Sequence, residues 1–530
     1  MAIPILTPLY RPVTQNSFGG GMRDRDHPSL LEPDQYVFLK NGEIRDTVPC
    51  KSRRGQYMVC SGPSIGTATN VQGITFFQPS EGNGVHVVVI DGRFWFWGNS
   101  GNTLTQIGSN QIGNTTEPVS FSINYSGTTK LLVCHVGLDS RPLYWDGDTS
   151  GSFQAFSDTD TSAPYSDLAC SQSGRTCVAG NSSLPDSVLY SGIRNIASGT
   201  GWDLATQNKR ITTDANESVK ALATYRDNAI IVQTAYSTQL IENLGTATLA
   251  DISRITIDPQ FGTISPRSLV VFGRDAFFLC PDRHVRSLQR SLVAQESGVD
   301  SFPISFFNPN LMGRINKAYM QKAAAIYFDN YYLLAVPMDN NQTNSSVLPF
   351  DMLLQKQMPF GRGPVMVGEW DDYPVHQWSV GTYAGKQRLF YLSNEDGSIW
   401  EALIGDTDGV DYPELELQPR GYIFDTDTAN KNIDYGEIKY ESTFGQLAIS
   451  HAGDDRVFST FKTVSIGSGA PGLPVDLPFD FGQPADESEY FYGHGLGDAR
   501  THRFKYVFTG GVVNFREFNY GAFVQPTTIR

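Results

Sequence analysis

Four cations gathered near the start of the chain, Arg45, Lys51, Arg53 and Arg54, are the residues whose types and spacing most plainly offer chemistry. A guanidinium grips a carboxylate through two parallel N–H donors, and an ammonium adds a compact charge. The chemistry on offer is recognition of an acidic surface, so these four are candidate docking or interface residues. A solvated, exposed turn is the alternative, because cations in water gain little from pairing. The segment that carries them, LLEPDQYVFLKNGEIRDTVPCKSRRGQ (residues 30–56), passes from a short apolar lead-in through an Asn41-Gly42 turn to the basic cluster.

Other candidate constellations fall short of a reaction centre. With 55 Asp and Glu in the chain, some carboxylate pair can always be proposed, which makes such pairs uninformative about glycoside hydrolysis. DTDGVD (406–411) hints at a calcium loop, but its glycine stands fourth and no bidentate glutamate closes it, so it reads as a solvated acidic turn. Cys134 and His135 are neighbours in an apparent strand and should point to opposite faces. Six cysteines show neither CxxC pairing nor zinc spacing and read as reduced buried thiols. The triple glycine at 19–21 precedes no phosphate-loop lysine and reads as a flexible hinge. The sequence therefore assigns no catalytic, cofactor or metal residue, and the expectation is a protein that is not an enzyme and uses no cofactor.

The elements that must position these residues are strands. Gly (51) and Pro (29) are plentiful, aromatics reach 12%, and charged residues are only 18%, a turn-rich, all-β composition. Between about residues 70 and 402, short aromatic or β-branched runs alternate with Asp, Asn and Gly turns, as in VHVVVIDGRFWFW and AAIYFDNYYLLAV. Landmarks Phe94, Leu143, Leu189, Ile230, Phe277, Tyr332 and Leu389 recur every 40 to 60 residues or so. That period predicts a β-propeller of about seven irregular blades, with a sandwich or barrel as the structural alternative. SNEDGSIW (393–400) resembles the Asp-box turn of sialidase-like propellers, with Glu395 where the aspartate belongs; the motif stabilises a turn and does not hydrolyse anything. In FWFW (94–97), strand alternation should bury at least two of the four rings.

The expected division is an N-terminal arm and docking segment over 1–60, a propeller over 61–410, and a C-terminal β-sandwich-like or nozzle domain with long loops over 411–530. The long Gly/Pro connection within 468–488 reads as a functional or partner-ordered loop. A net charge of −15 argues against a general nucleic-acid binder, because phosphate neutralisation needs clustered cations. The start shows no basic region followed by a sustained apolar run, and no uninterrupted apolar run reaches about 18 residues, so export and membrane spanning are not expected.

The run FGGGMRDRDHPSLLEPDQYVFLKNGEIRDTVPCKSRRG resembles the start of the tail-nozzle, packaged-DNA-stabilisation (tail tubular) proteins of short-tailed bacteriophages. The matching positions are Leu31, Pro33, Gln35, Asn41, Arg45, Arg53, Arg54 and Gly55, with Arg-Arg-Gly where that family often has Arg-Pro-Gly. SLVVFGRDAFFLCPDRHVRSLQ, VGEWDDYPV and LFYLSNEDGSIWEA also resemble segments of that family. The resemblance implies a non-enzymatic virion protein of the tail, assembled in the bacterial host cytoplasm. It implies a homo-oligomer, a hexameric ring, below the portal and its adaptor (the head-tail connector), meeting tail fibres or spikes. Such a ring retains packaged double-stranded DNA and passes it at ejection without sequence-specific binding. A receptor- or glycan-binding tail protein is the alternative, and a propeller glycosidase a more distant one.

Overall fold

The computed structural model describes residues 9–524 except 46–49, 64–69, 81, 99–100, 127, 138–140, 156–163, 195–201, 203–205, 212–216, 247, 297–301, 359–360, 425–427, 443, 467–485 and 493–495. It is all-β: forty strands and two short α-helices, Leu288–Glu296 and Pro309–Gly313, are present among the described residues.

Seven small antiparallel sheets follow one another between residues 71 and 402. Their first strands are Val71–Phe77 (sheet I), Ser120–Ser126 (II), Leu168–Gln172 (III), Ala221–Tyr225 (IV), Val270–Phe272 (V), Ala324–Phe328 (VI) and Val375–Tyr383 (VII). Sheets I to IV have four strands in simple up-and-down order, sheet V has three and sheet VI five. Sheet VII takes three strands from residues 375–402, and its fourth is Gln56–Cys60, which arrives from the start of the chain and pairs with Ile399–Ala402. From II to VII each first strand packs on the next, and that of VII packs on that of I. Sheets I and II meet where the Val119 N–H donates to Gln72 O at 3.1 Å.

The hairpins form where the sequence supplies residues that tolerate left-handed backbone. Asp91-Gly92, Ser173-Gly174, Asp329-Asn330 and Ala384-Gly385 all hold positive φ at both central positions, the twist that matches a right-handed strand pair. Second strands such as Val85–Ile90 and Tyr331–Val336 are buried along their full length, because a neighbouring sheet covers each face. Sheet I shows how: Phe94 stacks on Phe153 of the neighbouring sheet II region, centroids 3.8 Å apart, while Trp97 packs on Phe390 and Tyr383 of sheet VII. Phe94 and Trp97 are therefore inter-sheet packing, the two buried rings of the FWFW run.

Two six-stranded sheets make a second body. In the first, Asp486–Tyr492, Lys431–Ser442, Val513–Val524, Cys50–Ser52 and Gly42–Glu43 lie in order, and Leu9–Gln15 also pairs with Val513–Val524. In the second, Gly21–Met22, Gln35–Lys40, Leu415–Pro419, His502–Thr509, Gly445–Gly453 and Ser459–Ile466 lie in order. Tyr36, Phe504, Tyr506, Phe515, Phe518 and Tyr520 fill the core with ring contacts such as Phe504 on Tyr520 at 4.7 Å.

This arrangement departs from the expected arm over 1–60: the strands between Leu9 and Ser52 are inlaid in sheets whose other members lie beyond residue 414. The triple glycine is also no hinge. The Gly20 N–H donates to Asp34 O at 2.8 Å, a Cβ there would meet Asp34 Oδ1 at 2.5 Å, and Gly21 holds φ +79 against Val365. Most of the long connection in 468–488 lies outside the described residues.

Candidate functional site

The chain crosses between the two bodies at two passages, and the basic cluster sits where they touch. The first passage, residues 53–56, leaves strand Cys50–Ser52 and enters sheet VII; the second, residues 403–411, leaves sheet VII toward Leu415. They run side by side: the Gly55 N–H donates to Gly405 O (3.0 Å), Ile404 N–H to Gly55 O (3.1 Å), Gln56 N–H to Thr407 O (3.0 Å) and Gly409 N–H to Gln56 O (2.8 Å). The approach demands glycine, because a Cβ at Gly55 would stand 2.0 Å from Thr407 O.

Arg53 fills this crossing and is 1% exposed. Its Nη1 and Nη2 donate to Asp408 Oδ1 (2.9 Å) and Oδ2 (2.5 Å), its Nε to Asn41 Oδ1 (2.9 Å) and its Nη2 also to Asp371 O (3.2 Å). The guanidinium lies over the Tyr373 ring, 4.7 Å from its centroid. Burial opposes the charge, but Tyr373, Asp408 and Asp371 outweigh it and hold Arg53 above its ordinary pKa. Asn41 can serve because it occupies the left-handed region, φ +53, at the turn the sequence marked; its Oδ1 also accepts from Asp371 N–H at 3.1 Å.

The remaining cations ring this centre. Arg45 Nη1 donates to Asp329 Oδ2 at 2.8 Å, with its Nε 3.5 Å from the buried Asp351 and its guanidinium over Tyr331 at 3.8 Å. Arg54 joins Asp329 Oδ2 (2.8 Å) to Glu43 Oε1 (3.2 Å), and Lys51 stands 3.8 Å from Glu43 Oε2. Burial works against ionisation of Asp329, and Arg54 and Arg45 overcome it, so the carboxyl is held below its usual range. Lys40 with Asp371 (2.5 Å) and Arg314 with Glu369 (2.6 Å) extend the network along the same seam.

The structure thus brings all four predicted cations together but turns them inward. Arg53 and Arg45 are committed to carboxylates of their own chain, and only Arg54 and Lys51, the latter with 37% of its side chain exposed, keep a face toward solvent. Their partners were missed at the sequence level: Asp329 belongs to a hairpin turn, and Asp408 lies in the DTDGVD segment read as a solvated turn. Asp408 is instead the counter-ion of Arg53, which also fills the coordination a calcium would need.

The other sequence candidates stay apart. Cys134 is core packing, while His135 is held by Ser122 Oγ (2.9 Å) and Ser166 Oγ (3.1 Å), its pKa pushed down to about 3 by burial. All six cysteines are free and buried. Among the described residues no group of three or more His, Cys, Asp or Glu is placed to hold a metal ion. In the 393–400 turn it is Asp396 whose Oδ1 accepts from the Ser398 N–H (3.0 Å) and Oγ (2.5 Å), and Ser398 Oγ in turn accepts from Trp400 Nε1 (2.8 Å). The cap is therefore present one position later than the motif pattern places it.

No protein-family model matches the chain, and no curated protein matches it. Among solved structures, it is similar to PorZ, a surface component of the type-IX secretion system of Porphyromonas gingivalis, with 10% identity and TM-score 0.33 over 71% of this chain and 44% of that one. YCF48 bound to a D1 peptide gives 9% identity and TM-score 0.37 over 67% and 98%. The extracellular domain of the two-component system BT3049 from B. thetaiotaomicron gives 8% and 0.36 over 66% and 42%. The chain spans less than half the length of the first and third of these.

Proposed function

We propose that the seven sheets are the blades of one closed propeller, and that the chain is a structural, non-catalytic component of a phage tail. In this reading it forms a ring-shaped nozzle below the portal and adaptor, retaining packaged DNA and conducting it at ejection. The observation that carries the reading is the double engagement of residues 9–60, which supply strands to both sandwich sheets and the outer strand of sheet VII. Several positions behind the resemblance to tail-nozzle proteins lie in that segment: Gln35 holds Glu32 at the entry to its strand, Asn41 accepts from Arg53, Arg53 fills the crossing and Gly55 permits it. A protomer locked this way transmits load between its two bodies without hinging, which suits a wall under pressure from packaged DNA. Its charge of −15 suits a conduit that must not grip phosphate.

The test is mass photometry followed by negative-stain imaging of the full chain, alone and mixed with the tail adaptor of the same virus. A ring with a central hole, alone or on the adaptor, is the expected result; a monomer that ignores the adaptor refutes the reading. Lys51→Glu with Arg54→Glu tests whether the two outward-facing cations contribute to docking, since Arg53 has no surface left to offer.

A further inference from the structure

A cavity of about 420 Å³ opens beside the first strands of sheets I and VII, and among the described residues no carboxylate lines it. Its wall carries Arg267, Lys322 and His376, with Asn344, Gln321 and Thr343 among the polar residues between them. Arg267 also borders a second, smaller cavity of about 200 Å³ lined by first-strand residues of sheets I to IV and VII, again without a carboxylate.

Two features of this wall lack the partner that chemistry demands. Arg267 Nη1 donates to His376 Nε2 (2.9 Å) and His376 O (3.1 Å), and Nη2 to Gln72 O (2.8 Å). These bonds take three of its five N–H donors, and none ends on an anion. Burial without a counter-ion pushes its pKa down, and burial and the adjacent guanidinium keep His376 neutral. Asn344, 3% exposed, donates its amide to Lys322 O and Val375 O (both 2.8 Å), which fixes its orientation and leaves Oδ1 buried with no donor. A buried acceptor without a donor and a guanidinium without an anion each cost free energy unless something else supplies the missing group.

We propose that this cavity binds a small hydroxylated carboxylate, of the class of sugar acids and hydroxy acids. The carboxylate takes the uncommitted N–H donors of Arg267, a planar, bidentate match, and a hydroxyl donates to Asn344 Oδ1. Lys322, exposed at the mouth, draws the anion in. Inorganic phosphate near neutral pH carries a P–OH, but that hydroxyl sits on the same atom as the charge and cannot be set apart from it as a sugar acid's hydroxyl is; a neutral sugar satisfies the hydroxyl but not the guanidinium. The proposal does not depend on the tail role.

The experiment is isothermal titration of the full chain with glucuronate, glucose and inorganic phosphate. Glucuronate should bind saturably and at least about tenfold more tightly than either of the others. Arg267 ties Gln72 to His376 across sheets I and VII, so its substitution could loosen the fold. Asn344→Asp, which sets a like charge against the ligand, and Lys322→Ala, at an exposed position, are the cleaner probes. The first should weaken glucuronate about tenfold or more and the second severalfold, with circular dichroism unchanged. Absence of saturable glucuronate binding up to about 10 mM, equal binding of glucose or phosphate, or indifference to both substitutions overturns the proposal.

Discussion

Replacing Arg53 with Met removes the side chain on which the two inter-body passages converge. The substitution leaves Asp408, 15% exposed at its side chain, without its counter-ion, and the Asp371 carbonyl without this donor. Asn41 Oδ1 keeps its bond from the Asp371 N–H, so that acceptor is not orphaned. Removing one member of a buried ion pair costs about 3–5 kcal/mol, and the partial exposure of Asp408 places this case near ~3 kcal/mol. Asp408→Asn strands the more deeply buried partner but preserves one acceptor, for a cost of about 2–3 kcal/mol. The double substitution Arg53→Met/Asp408→Leu removes both charges and should cost less than the sum of the single changes by about 1–3 kcal/mol. Hydrogen exchange reads this locally, because the Gly55, Gln56 and Gly409 amides are bonded across the crossing. In peptides covering 53–57 and 403–410, Arg53→Met should raise exchange by about a hundredfold if opening is local. A loss below about 1 kcal/mol, or strict additivity in the cycle, would show that the ion pair does not hold the passages together.

Gly55→Ala should be as damaging as the loss of Arg53, since its Cβ meets a backbone oxygen that cannot move aside; a folded variant with unchanged exchange at 403–410 would contradict this. The His451–His502 pair gives an acid-sensitive lock in the sandwich. With both rings neutral, His502 Nε2–H donates to Lys431 O (3.1 Å) and its Nδ1 accepts from His451 Nε2–H (2.9 Å), an arrangement that protonation of His502 at Nδ1 breaks. Burial lowers both pKa values to about 4. The unfolded chain therefore binds more protons than the folded one between about pH 6.5 and 4. Stability is complete above 6.5 and falls across that window, by at most ~3 kcal/mol per ring. His451→Gln should flatten the melting temperature over this range relative to wild type, and an unchanged slope would exclude the pair as the cause. Asp396→Ala removes the cap on Ser398 and should cost about 1 kcal/mol in thermal unfolding, whereas Glu395→Ala should cost nothing measurable.

What the sequence revealed was whatever is local. Asp91-Gly92 and Asp329-Asn330 announce their hairpins because both residues tolerate positive φ, and the runs between them are apolar enough to be covered on both faces. The 40-to-60-residue spacing, roughly that of a four-stranded unit, was legible for the same reason. The inlaid strands were not: a stretch such as Cys50–Ser52 is three residues long, and its partners, Asn514 and Phe515, lie at the other end of the chain. The site was half visible. Clustered Arg and Lys are easy to see, but a carboxylate in a hairpin turn, such as Asp329, becomes a partner only when the fold delivers it. Nothing about Arg267, alone in an SPRS stretch, sets it apart until the strands of sheets I and VII close around it.

The pairing of residues 9–60 with late segments also sets a timetable. Thr14 bonds to Asn519, 505 positions away. At ~5–20 residues per second of synthesis, the first strands wait roughly 25 to 100 s for their partners. Throughout that interval they are short, alternately apolar segments with open edges, and Gln56–Cys60 waits in the same way for sheet VII, whose own strands end only at residue 402. Contact order is low within sheets I to V, whose strands are chain neighbours, and high where residues 9–60 pair with late segments, so folding is slow there and completes from both ends of the chain together. An early segment kept waiting that long finds the same pairing surface on any finished neighbour. Exchange of residues 9–60 between copies is thus the characteristic misassembly this topology risks, and crowded synthesis of many copies in one cell is the condition that would favour it.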